Sequence, residues 1–167
     1  MTNPDELAGR LRARFADVVA ARGEVTLSLG PAELREALEW LRHEPGLTFA
    51  ALSDLTCTDW PGRTPRYWVV LHLRSAEHGH RVRVKVGLSD AEAPRMPSVT
   101  DLFPAADWYE REVFDFFGVV FEGHPDLRRI ELPDEWVGHP MRKSEPLAGV
   151  PTQYQGASVP PPDQRGL

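Results

Sequence analysis

The amino-acid sequence predicts an α+β fold: a two-layer sandwich with a mostly antiparallel four-stranded sheet, helices on one face, and an extended C-terminal tail. Residues 67–74 and 81–86 flank a His-Gly turn and alternate apolar with polar side chains, which is typical of a β-hairpin. Three other stretches repeat apolar residues at the spacing of a helix. Beyond residue 120, prolines recur without periodicity, which favours an extended chain.

The first predicted element is an N-terminal helix. Asn3 suits the N-cap, Pro4 suits the first helical position, and apolar residues recur at helical spacing as far as Val18. Gly23 offers a stop signal, since glycine is common just beyond a helix C-terminus. Residues 25–29 then alternate apolar and polar side chains, so we expect a short strand there.

A second helix and the rest of the sheet are predicted to follow. Pro31 opens a helix with leucine and alanine on one face, and Pro45 ends it. Residues 47–58 form the next predicted strand. The hairpin then supplies strands over residues 67–74 and 81–87, and these complete the sheet.

One helix and a long irregular region are expected in the remainder of the chain. Residues 88–98 are rich in alanine and proline and are predicted to form a loop. Helical periodicity over residues 105–117 predicts the third helix, and Gly118 suits the left-handed residue that closes it.

The chain is predicted to contain one core domain and two irregular segments. A length of 167 residues, of which 41% are hydrophobic, suffices for a single core. We expect an α+β core domain over residues 1–120 and an extended partner-docking segment over 121–143. The proline-rich tail over 144–167 is expected to be flexible.

Composition argues against several classes of function. The formal net charge of −6 disfavours a general nucleic-acid binder, because affinity for phosphate backbones depends on excess lysine and arginine. A single cysteine, Cys57, excludes an internal disulfide framework and a self-contained iron–sulfur cluster. No apolar run reaches the roughly 18–20 residues of a membrane span, and the N-terminus lacks a signal-peptide pattern. We therefore expect a soluble chain that reaches a membrane only through a partner.

Charged and aromatic residues are densest over residues 110–129. This stretch contains five acidic residues, three arginines, one histidine and four phenylalanines. Such a density indicates either a chemical site or an interface at which another chain meets the charges. Asp107, Arg111 and Asp115 stand four residues apart, so Arg111 is expected to pair with a carboxylate on each side.

Two segments of the C-terminal region echo each other. Gly-His-Pro occurs at residues 123–125 and again at 138–140, and each unit is followed by two basic residues. Two such units suggest a chain that is held at fixed points by charge-assisted hydrogen bonds, which arginine makes well with carboxylates.

A metal-dependent enzyme is the alternative interpretation of the same region. Glu112, Asp115, His124 and His139 are residue types that bind zinc or non-haem iron. Against this hypothesis, the chain has no His-Glu-x-x-His signature, and both histidines precede proline in an extended stretch. A binding or structural role is therefore favoured over an enzyme with its own active site.

The predicted hairpin also has a strongly basic face. Arg81, Arg83 and Lys85 alternate with three valines. Ordinary alternation predicts a solvated sheet face. A basic patch for an acidic partner surface is the sharper interpretation, and both remain open at this point.

A long, nearly gapless pattern closely resembles the signature of the C-type subunit of NADH–quinone oxidoreductase, respiratory complex I. It begins with Pro-Ala-Ala-Asp-Trp-Tyr-Glu-Arg-Glu-Val-Phe-Asp-Phe-Phe-Gly at residues 104–118 and continues with Gly-His-Pro-Asp-Leu-Arg-Arg-Ile at 123–130. It resumes with Leu-Pro-Asp-Glu-Trp-Val-Gly-His-Pro-Met-Arg-Lys at residues 132–143. Weaker similarity reaches back to residue 52, so about two-thirds of the chain resembles this family.

The resemblance implies a non-catalytic scaffold subunit in the hydrophilic arm of a bacterial, proton-translocating respiratory enzyme. Among the other hydrophilic-arm subunits, it implies docking on the quinone-site, D-type subunit by a segment over residues 110–143 that leaves the core domain. No cofactor is expected on this chain, and the FMN, iron–sulfur clusters and quinone of the assembly are expected in other subunits. The implied location is peripheral, on the cytoplasmic side of the plasma membrane, with membrane contact only through the assembly and no nucleic-acid partner.

The signature residues are the candidates for the partner interface, and no catalytic, cofactor or metal residues are expected. The candidates are Glu110, Arg111, Glu112, Asp115, His124, Asp126, Arg128, Arg129, His139, Arg142 and Lys143.

Some positions depart from the family pattern. Ser144 and Glu145 stand where the family usually has aspartate followed by an aromatic residue, and Glu131 occupies a usually apolar position. Related subunits also serve ferredoxin- or F420-linked complexes and membrane-bound hydrogenases. An equivalent subunit of such a complex is therefore the alternative within the resemblance.

Overall fold

The computed structural model describes residues 3–145, in which a five-stranded sheet carries helices on one face and a two-stranded ladder lies beside it. The elements in chain order are α1 (Pro4–Arg12), β1 (Val18–Ala21), β2 (Glu24–Leu29), a 3₁₀ turn (Pro31–Glu33), α2 (Leu34–His43), β3 (Ala51–Asp59), β4 (Tyr67–Arg74), β5 (Arg81–Leu88), β6 (Arg95–Pro97), α3 (Ala106–Phe117) and β7 (Val120–Glu122).

The main sheet is mixed and has the strand order β1-β2-β5-β4-β3. Three of its neighbouring pairs are antiparallel, and β2 lies parallel to β5. The predicted α+β class is confirmed, and β4 and β5 form the predicted hairpin, with Tyr67 opposite Leu88 and Arg74 opposite Arg81. The sheet has five strands instead of the four that the sequence predicted.

The additional strand, β1, occupies residues that sequence analysis assigned to the N-terminal helix. α1 ends at Arg12, and Val18 to Ala21 pair with β2 instead. Arg22 and Gly23 both have positive φ, 55° and 79°, as a tight type I′ hairpin requires. Gly23 therefore closes a hairpin and not a helix. The two β-branched valines that begin β1 also favour an extended chain.

One face of the main sheet and one side of each helix share an apolar core. The three alternating valines of β5 are at most 2% exposed, and Leu11 of α1 and Leu38 of α2 belong to the same core. On the opposite side of β5, Arg81 is exposed, and Arg83 and Lys85 are half-buried. The basic side chains of the hairpin therefore point away from the helices.

The segment over residues 110–143 was expected to leave the core domain, but in the structure it packs against that domain. Val113 and Phe117 are buried in the core, because the apolar stripe of α3 must be covered. β7 follows α3 and pairs in parallel with β6, a short strand inside the predicted loop. Residues 123–145, called the C-terminal segment below, contain no further helix or strand and lie back on α3.

Candidate functional site

The C-terminal segment is held against α3 chiefly by one buried carboxylate. The Asp115 side chain is fully buried, and its Oδ1 accepts a hydrogen bond from Arg129 Nη1 at 2.5 Å. Its Oδ2 accepts hydrogen bonds from the backbone N–H groups of Ile130, Glu131 and Leu132 at 3.1, 2.9 and 2.9 Å. Several donors thus converge on one carboxylate, and they fix the path of the chain past the end of α3.

The ion pair between Asp115 and Arg129 has hydrogen-bond partners on both sides. Burial alone would raise the pKa of Asp115, but the backbone N–H groups and the guanidinium together lower it below its ordinary value. Arg129 also donates from Nη2 to the carbonyl oxygens of Trp136 and Gly138 at 3.0 and 3.2 Å. Because each charge is paired and hydrogen-bonded, the pair can lie inside the protein.

The two Gly-His-Pro units both contact the backbone of α3. His124 Nε2 lies 3.2 Å from the carbonyl oxygen of Asp107 and 3.1 Å from its Oδ1, and His124 Nδ1 accepts a hydrogen bond from Asp126 N–H at 3.0 Å. His139 Nδ1 lies 2.9 Å from the carbonyl oxygen of Asp115. Because a carbonyl oxygen only accepts, we assign a proton to the ring nitrogen that faces it. The fixed points that the sequence suggested therefore lie on this chain's own helix.

Gly118 ends α3 and also makes room for the second Gly-His-Pro unit. Its φ of 72° is the left-handed conformation that the sequence predicted. A Cβ at this position would lie 2.5 Å from the His139 ring and 2.6 Å from Arg142 Nη2. Arg142 donates from Nε to the carbonyl oxygen of Phe117 at 2.7 Å, and its guanidinium covers the ring of Tyr67. Only glycine meets both requirements.

A second buried aspartate, Asp59 at the end of β3, binds the far end of the C-terminal segment. Arg66 donates to both of its oxygens at 2.7 and 2.8 Å, and the backbone N–H of Lys143 donates to Oδ2 at 2.8 Å. The hydrogen bonds from Arg66 are the largest cause of the lowered pKa of Asp59. Asp59 was not among the residues predicted from the sequence. Its burial could have been inferred from the alternation of side chains along β3, because Asp59 lies on the same face of the strand as the buried Leu55 and Cys57.

Arg111 does not pair with Asp107 and Asp115, so that prediction is wrong. Its Nε and Nη2 donate instead to the carbonyl oxygens of Arg128 and Arg129 at 3.2 and 3.3 Å. The two aspartates bind the C-terminal segment instead: Asp107 contacts His124, and Asp115 accepts hydrogen bonds from backbone N–H groups such as that of Glu131. Arg111 therefore binds the same segment from the side of α3, and the local helical spacing is overridden by tertiary contacts.

Glu110, one of the predicted interface residues, is fully buried inside the domain. Its Oε1 accepts a hydrogen bond from Val99 N–H at 2.7 Å, and its Oε2 has no hydrogen-bond partner within residues 3–145. Burial raises the pKa of Glu110 to about 7, although hydrogen bonds with the Val99 N–H and the Ser98 side chain act to lower it. Its burial could have been inferred from helical spacing, because it shares a face of α3 with the buried Ala106 and Val113.

The outer surface of the C-terminal segment and the adjoining part of α3 combine charged and apolar side chains. Arg128 is 70% exposed and pairs with Asp126 at 2.9 Å. Val137 and Met141 are 93% and 54% exposed. The predicted interface residues that are exposed are Glu112, Asp126, Arg128 and Lys143.

The four residues of the metal hypothesis are not brought together. Asp115 is occupied by its donors, and Glu112 is exposed on another side of α3. His124 and His139 contact α3 at positions about two turns apart. Within the described part of the chain, no three His, Cys, Asp or Glu side chains are close enough to hold a metal ion.

Comparison with known proteins agrees with the resemblance found in the sequence. The family model described as respiratory-chain NADH dehydrogenase, 30 Kd subunit, matches residues 27–151. The C-type subunit of NADH-quinone oxidoreductase from Salinispora tropica is 46% identical over 149 residues, which are 89% of this chain and 60% of that protein. The corresponding subunit from Mycolicibacterium gilvum is 42% identical over 171 residues, which are 96% of this chain and 75% of that protein.

Solved structures show the same fold. The trypsin-resistant fragment (1-134) of Nqo5 superposes with a TM-score of 0.64 and 32% identity, covering 75% of this chain and 100% of the fragment. A chain of the membrane-bound sulfane sulfur reductase, an archaeal respiratory membrane complex, superposes with a TM-score of 0.68 and 28% identity, covering 86% of each chain.

Family membership follows from the extent of these matches. This chain spans 60% of the length of the Salinispora tropica relative and 63% of that from Mycolicibacterium paratuberculosis. The matched region nevertheless includes most of the main sheet, α3 and all of the C-terminal segment. The resemblance to the C-type subunit is confirmed, and the chain belongs to the family of the 30 Kd subunit of respiratory-chain NADH dehydrogenase.

Proposed function

We propose that this chain is a non-catalytic scaffold subunit in the hydrophilic arm of a proton-translocating NADH–quinone oxidoreductase. We further propose that it docks on the quinone-site, D-type subunit through the outer surface of the C-terminal segment. The names of its relatives, which are C-type subunits of NADH-quinone oxidoreductase, support the assembly. The observation that carries the docking role is the attachment of an otherwise irregular segment to α3 by several hydrogen bonds to Asp115.

This attachment prepares the segment for binding. An irregular segment that is disordered before association loses conformational entropy when it binds. Here the Asp115–Arg129 pair and the two histidines already fix the backbone. Contacts within the subunit therefore already offset the entropy cost of ordering the segment. A partner would bind to a preformed surface.

The exposed side chains have complementary roles in the proposed interface. Val137 and Met141 supply apolar contact area, which anchors protein–protein interfaces when it is enclosed by a partner. Arg128, Lys143 and Glu112 lie on the exposed surface, where charge determines orientation and specificity more than affinity. Asp126 is also exposed and pairs with Arg128. In this proposal, the signature residues that bind between α3 and the C-terminal segment hold this surface in shape; they are Arg111, Asp115, His124, Arg129, His139 and Arg142.

The proposed location of this protein and the proposed cofactors are inferred from the assembly. They are not inferred from residues of this chain. We place the protein at the cytoplasmic side of the plasma membrane and the FMN, iron–sulfur clusters and quinone in other subunits. None of the helices within residues 3–145 has the length and hydrophobicity to cross a membrane. In this proposal, partner subunits make the contact with the membrane.

An equivalent subunit in a related respiratory complex is the second candidate function. The similarity to a chain of the archaeal membrane-bound sulfane sulfur reductase favours it, because the fold extends over 86% of this chain. The same docking surface would then serve a different electron-transfer partner. Coexpression with the D-type subunits of each kind, taken from the source genome, separates the two candidates.

The docking role is tested by coexpression with the D-type subunit, with one chain tagged, followed by size-exclusion chromatography and binding measurements. Arg128→Ala and Val137→Asp should each weaken the pair by roughly tenfold while leaving the isolated chain folded. Arg14→Ala is the matched control, because Arg14 is also an exposed arginine in an ion pair, with Glu36 at 2.6 Å, and it lies outside the C-terminal segment.

The outcomes of this experiment are distinct. A stable pair that both interface variants weaken and the control does not would support docking through the C-terminal segment. A pair that forms equally well with all three variants would place the interface elsewhere. If the wild-type chain forms no pair with the D-type subunit and elutes alone, the scaffold role itself is contradicted.

A further inference from the structure

The outward face of the main sheet is a second surface, which the proposed docking role does not use. On β2, β3, β4 and β5, the residues that point away from the helices are exposed or half-buried at alternate positions, except Val70, which is buried. Basic residues occupy the centre of this face. They are His72 and Arg74 on β4 and Arg81, Arg83 and Lys85 on β5.

Two arginines stand directly opposite one another across β4 and β5, because Arg74 is in register with Arg81. Like charges at opposed positions of an antiparallel pair are destabilising. Arg74 and Arg81, called the arginine pair below, are both exposed and have no ion pair within residues 3–145. A local arrangement that opposes folding is expected chiefly where function requires it.

Carboxylates of this chain compensate only part of the charge. Arg83 forms an ion pair with Glu24 at 2.6 Å, and Asp54 of β3 is in register with His72. Neither arginine of the pair has an ion-pair partner among the described residues 3–145: Arg74 is in register with Ala51 on β3, and Glu24 of β2, which lines the same cleft, is paired with Arg83. The end of the hairpin therefore presents two uncompensated guanidinium groups next to each other.

The rest of the face permits close approach by another backbone. Beside the basic centre, β2 carries the small residues Thr26 and Ser28, and β3 carries Thr56. Val70 lies between them on β4 and is 8% exposed. Further along the face, the rings of Trp60 and Trp68 stand beside Thr58, and Lys85 lies over the Trp68 ring. A basic centre between low rims can accept an extended acidic chain.

We propose that this outward face binds an acidic segment of another polypeptide, at the arginine pair and Arg83. Charge complementarity selects this occupant. Residues 146–167 carry one aspartate and one arginine, Asp163 and Arg165, so their side-chain charge does not match the face. A second copy would bring the same basic face, and the net charge of −6 disfavours a nucleic acid.

The test uses the full-length chain and a fluorescein-labelled peptide of alternating glutamate and serine, with affinity measured by fluorescence anisotropy. Wild type should bind, with an affinity that falls as salt is added. The double variant Arg74→Gln/Arg81→Gln should bind roughly tenfold more weakly. The control is Arg14→Gln/Arg95→Gln, which removes two exposed arginines that already have carboxylate partners, and its affinity should match wild type.

A second measurement separates binding from folding. Because the arginine pair is repulsive, Arg74→Gln/Arg81→Gln should have a Tm equal to or above that of wild type. Arg74→Lys/Arg81→Lys keeps both positive charges, so this variant should retain binding to the peptide. The proposal would be contradicted if the wild-type chain did not bind the peptide, or if the control variant lost as much affinity for the peptide as Arg74→Gln/Arg81→Gln. Tighter binding of single-stranded DNA or of phosphatidylglycerol vesicles than of the peptide would also contradict it. None of these outcomes depends on the interaction with the D-type subunit.

Discussion

The sheet core and the C-terminal segment are stabilised by different interactions. In the core, Leu55, Leu71 and Val84 are at most 1% exposed, and burial of such a side chain contributes about 1.5–3 kcal/mol. The contacts between the C-terminal segment and the domain are mainly hydrogen bonds and ion pairs, centred on Asp115 and Asp59. One region is held by non-directional burial, and the other by directional polar contacts.

This difference shows how a segment without periodicity can still have one conformation. Apolar burial depends on area and tolerates many backbone paths. A carboxylate that accepts hydrogen bonds from three successive backbone N–H groups, as Asp115 does, specifies the position of each of them. The polar side chains of His124 and Arg129 are 0% and 16% exposed, whereas the apolar Val137 and Met141 are exposed.

The largest expected effect comes from removing the charge of Asp115. Asp115→Asn should weaken attachment of the C-terminal segment by about 3–5 kcal/mol, because Arg129 is left buried without a counter-charge and an amide N–H faces other donors. Hydrogen exchange should show loss of protection at the amides of residues 130–132 while the amides of β4 stay protected. Asp90→Asn is the control, since Asp90 accepts two backbone N–H groups in an exposed turn. Equal loss of protection in both regions would contradict the distinction between them.

A change in the core should act on the whole molecule. Leu71→Ala removes a fully buried side chain at the centre of the main sheet and should lower the free energy of unfolding by about 2–5 kcal/mol. Chemical denaturation gives the size of the loss, and hydrogen exchange should show it equally in β4 and in the C-terminal segment. If the C-terminal segment kept its protection while the sheet lost its own, the segment would not depend on the core.

Glu110 sharpens the comparison, because it is a buried carboxylate that has no charged donor in the part of the chain that the structure describes, whereas Asp115 is paired with Arg129. Its pKa is raised to about 7, so between about pH 5 and 7 the folded state keeps a proton that the unfolded state has released. The free energy of unfolding should therefore fall as the pH rises through this range. Glu110→Gln should remove that slope and should be more stable than wild type above pH 7 by about 1–3 kcal/mol. Parallel pH profiles of the two proteins would contradict this assignment.

The smallest effect on stability is expected at the surface of the C-terminal segment. Arg128→Ala removes an exposed ion pair with Asp126 and should change the free energy of unfolding by less than about 0.5 kcal/mol. Chemical denaturation of the isolated chain measures this change. A loss comparable to that of Asp115→Asn would mean that Arg128 also holds the segment, and its use as an interface probe would fail.

Much of the fold could be predicted because the local patterns are strong. The hairpin strand over residues 67–74 was predicted with its observed bounds, and α3 with its cap at Gly118 was predicted within one residue. Predictions failed where a local sequence pattern was compatible with more than one secondary structure. The helical spacing up to Val18 concealed β1, and the predicted strand from residue 47 begins only at Ala51, after Thr48 adopts a φ of 48°.

The site was predictable as a set of residues but not as a set of contacts. The signature residues include Asp115, Arg129 and both histidines, and the structure shows all four binding within the chain. The sequence suggested that a partner would meet these charges, since nothing in the order of residues shows which carboxylate accepts which donor. Asp59 was missed for the same reason: its contact with Lys143 spans 84 positions.

The sequence by itself determined the α+β class, the principal helices and strands, and the family, because these depend on side-chain periodicity and on a long residue pattern. The tertiary structure alone decided which charged residues are internal anchors and which are exposed. The physical reason is that an apolar side chain needs only to be buried, whereas a buried charge needs particular partners. Those partners meet here only after the C-terminal segment has folded back along α3.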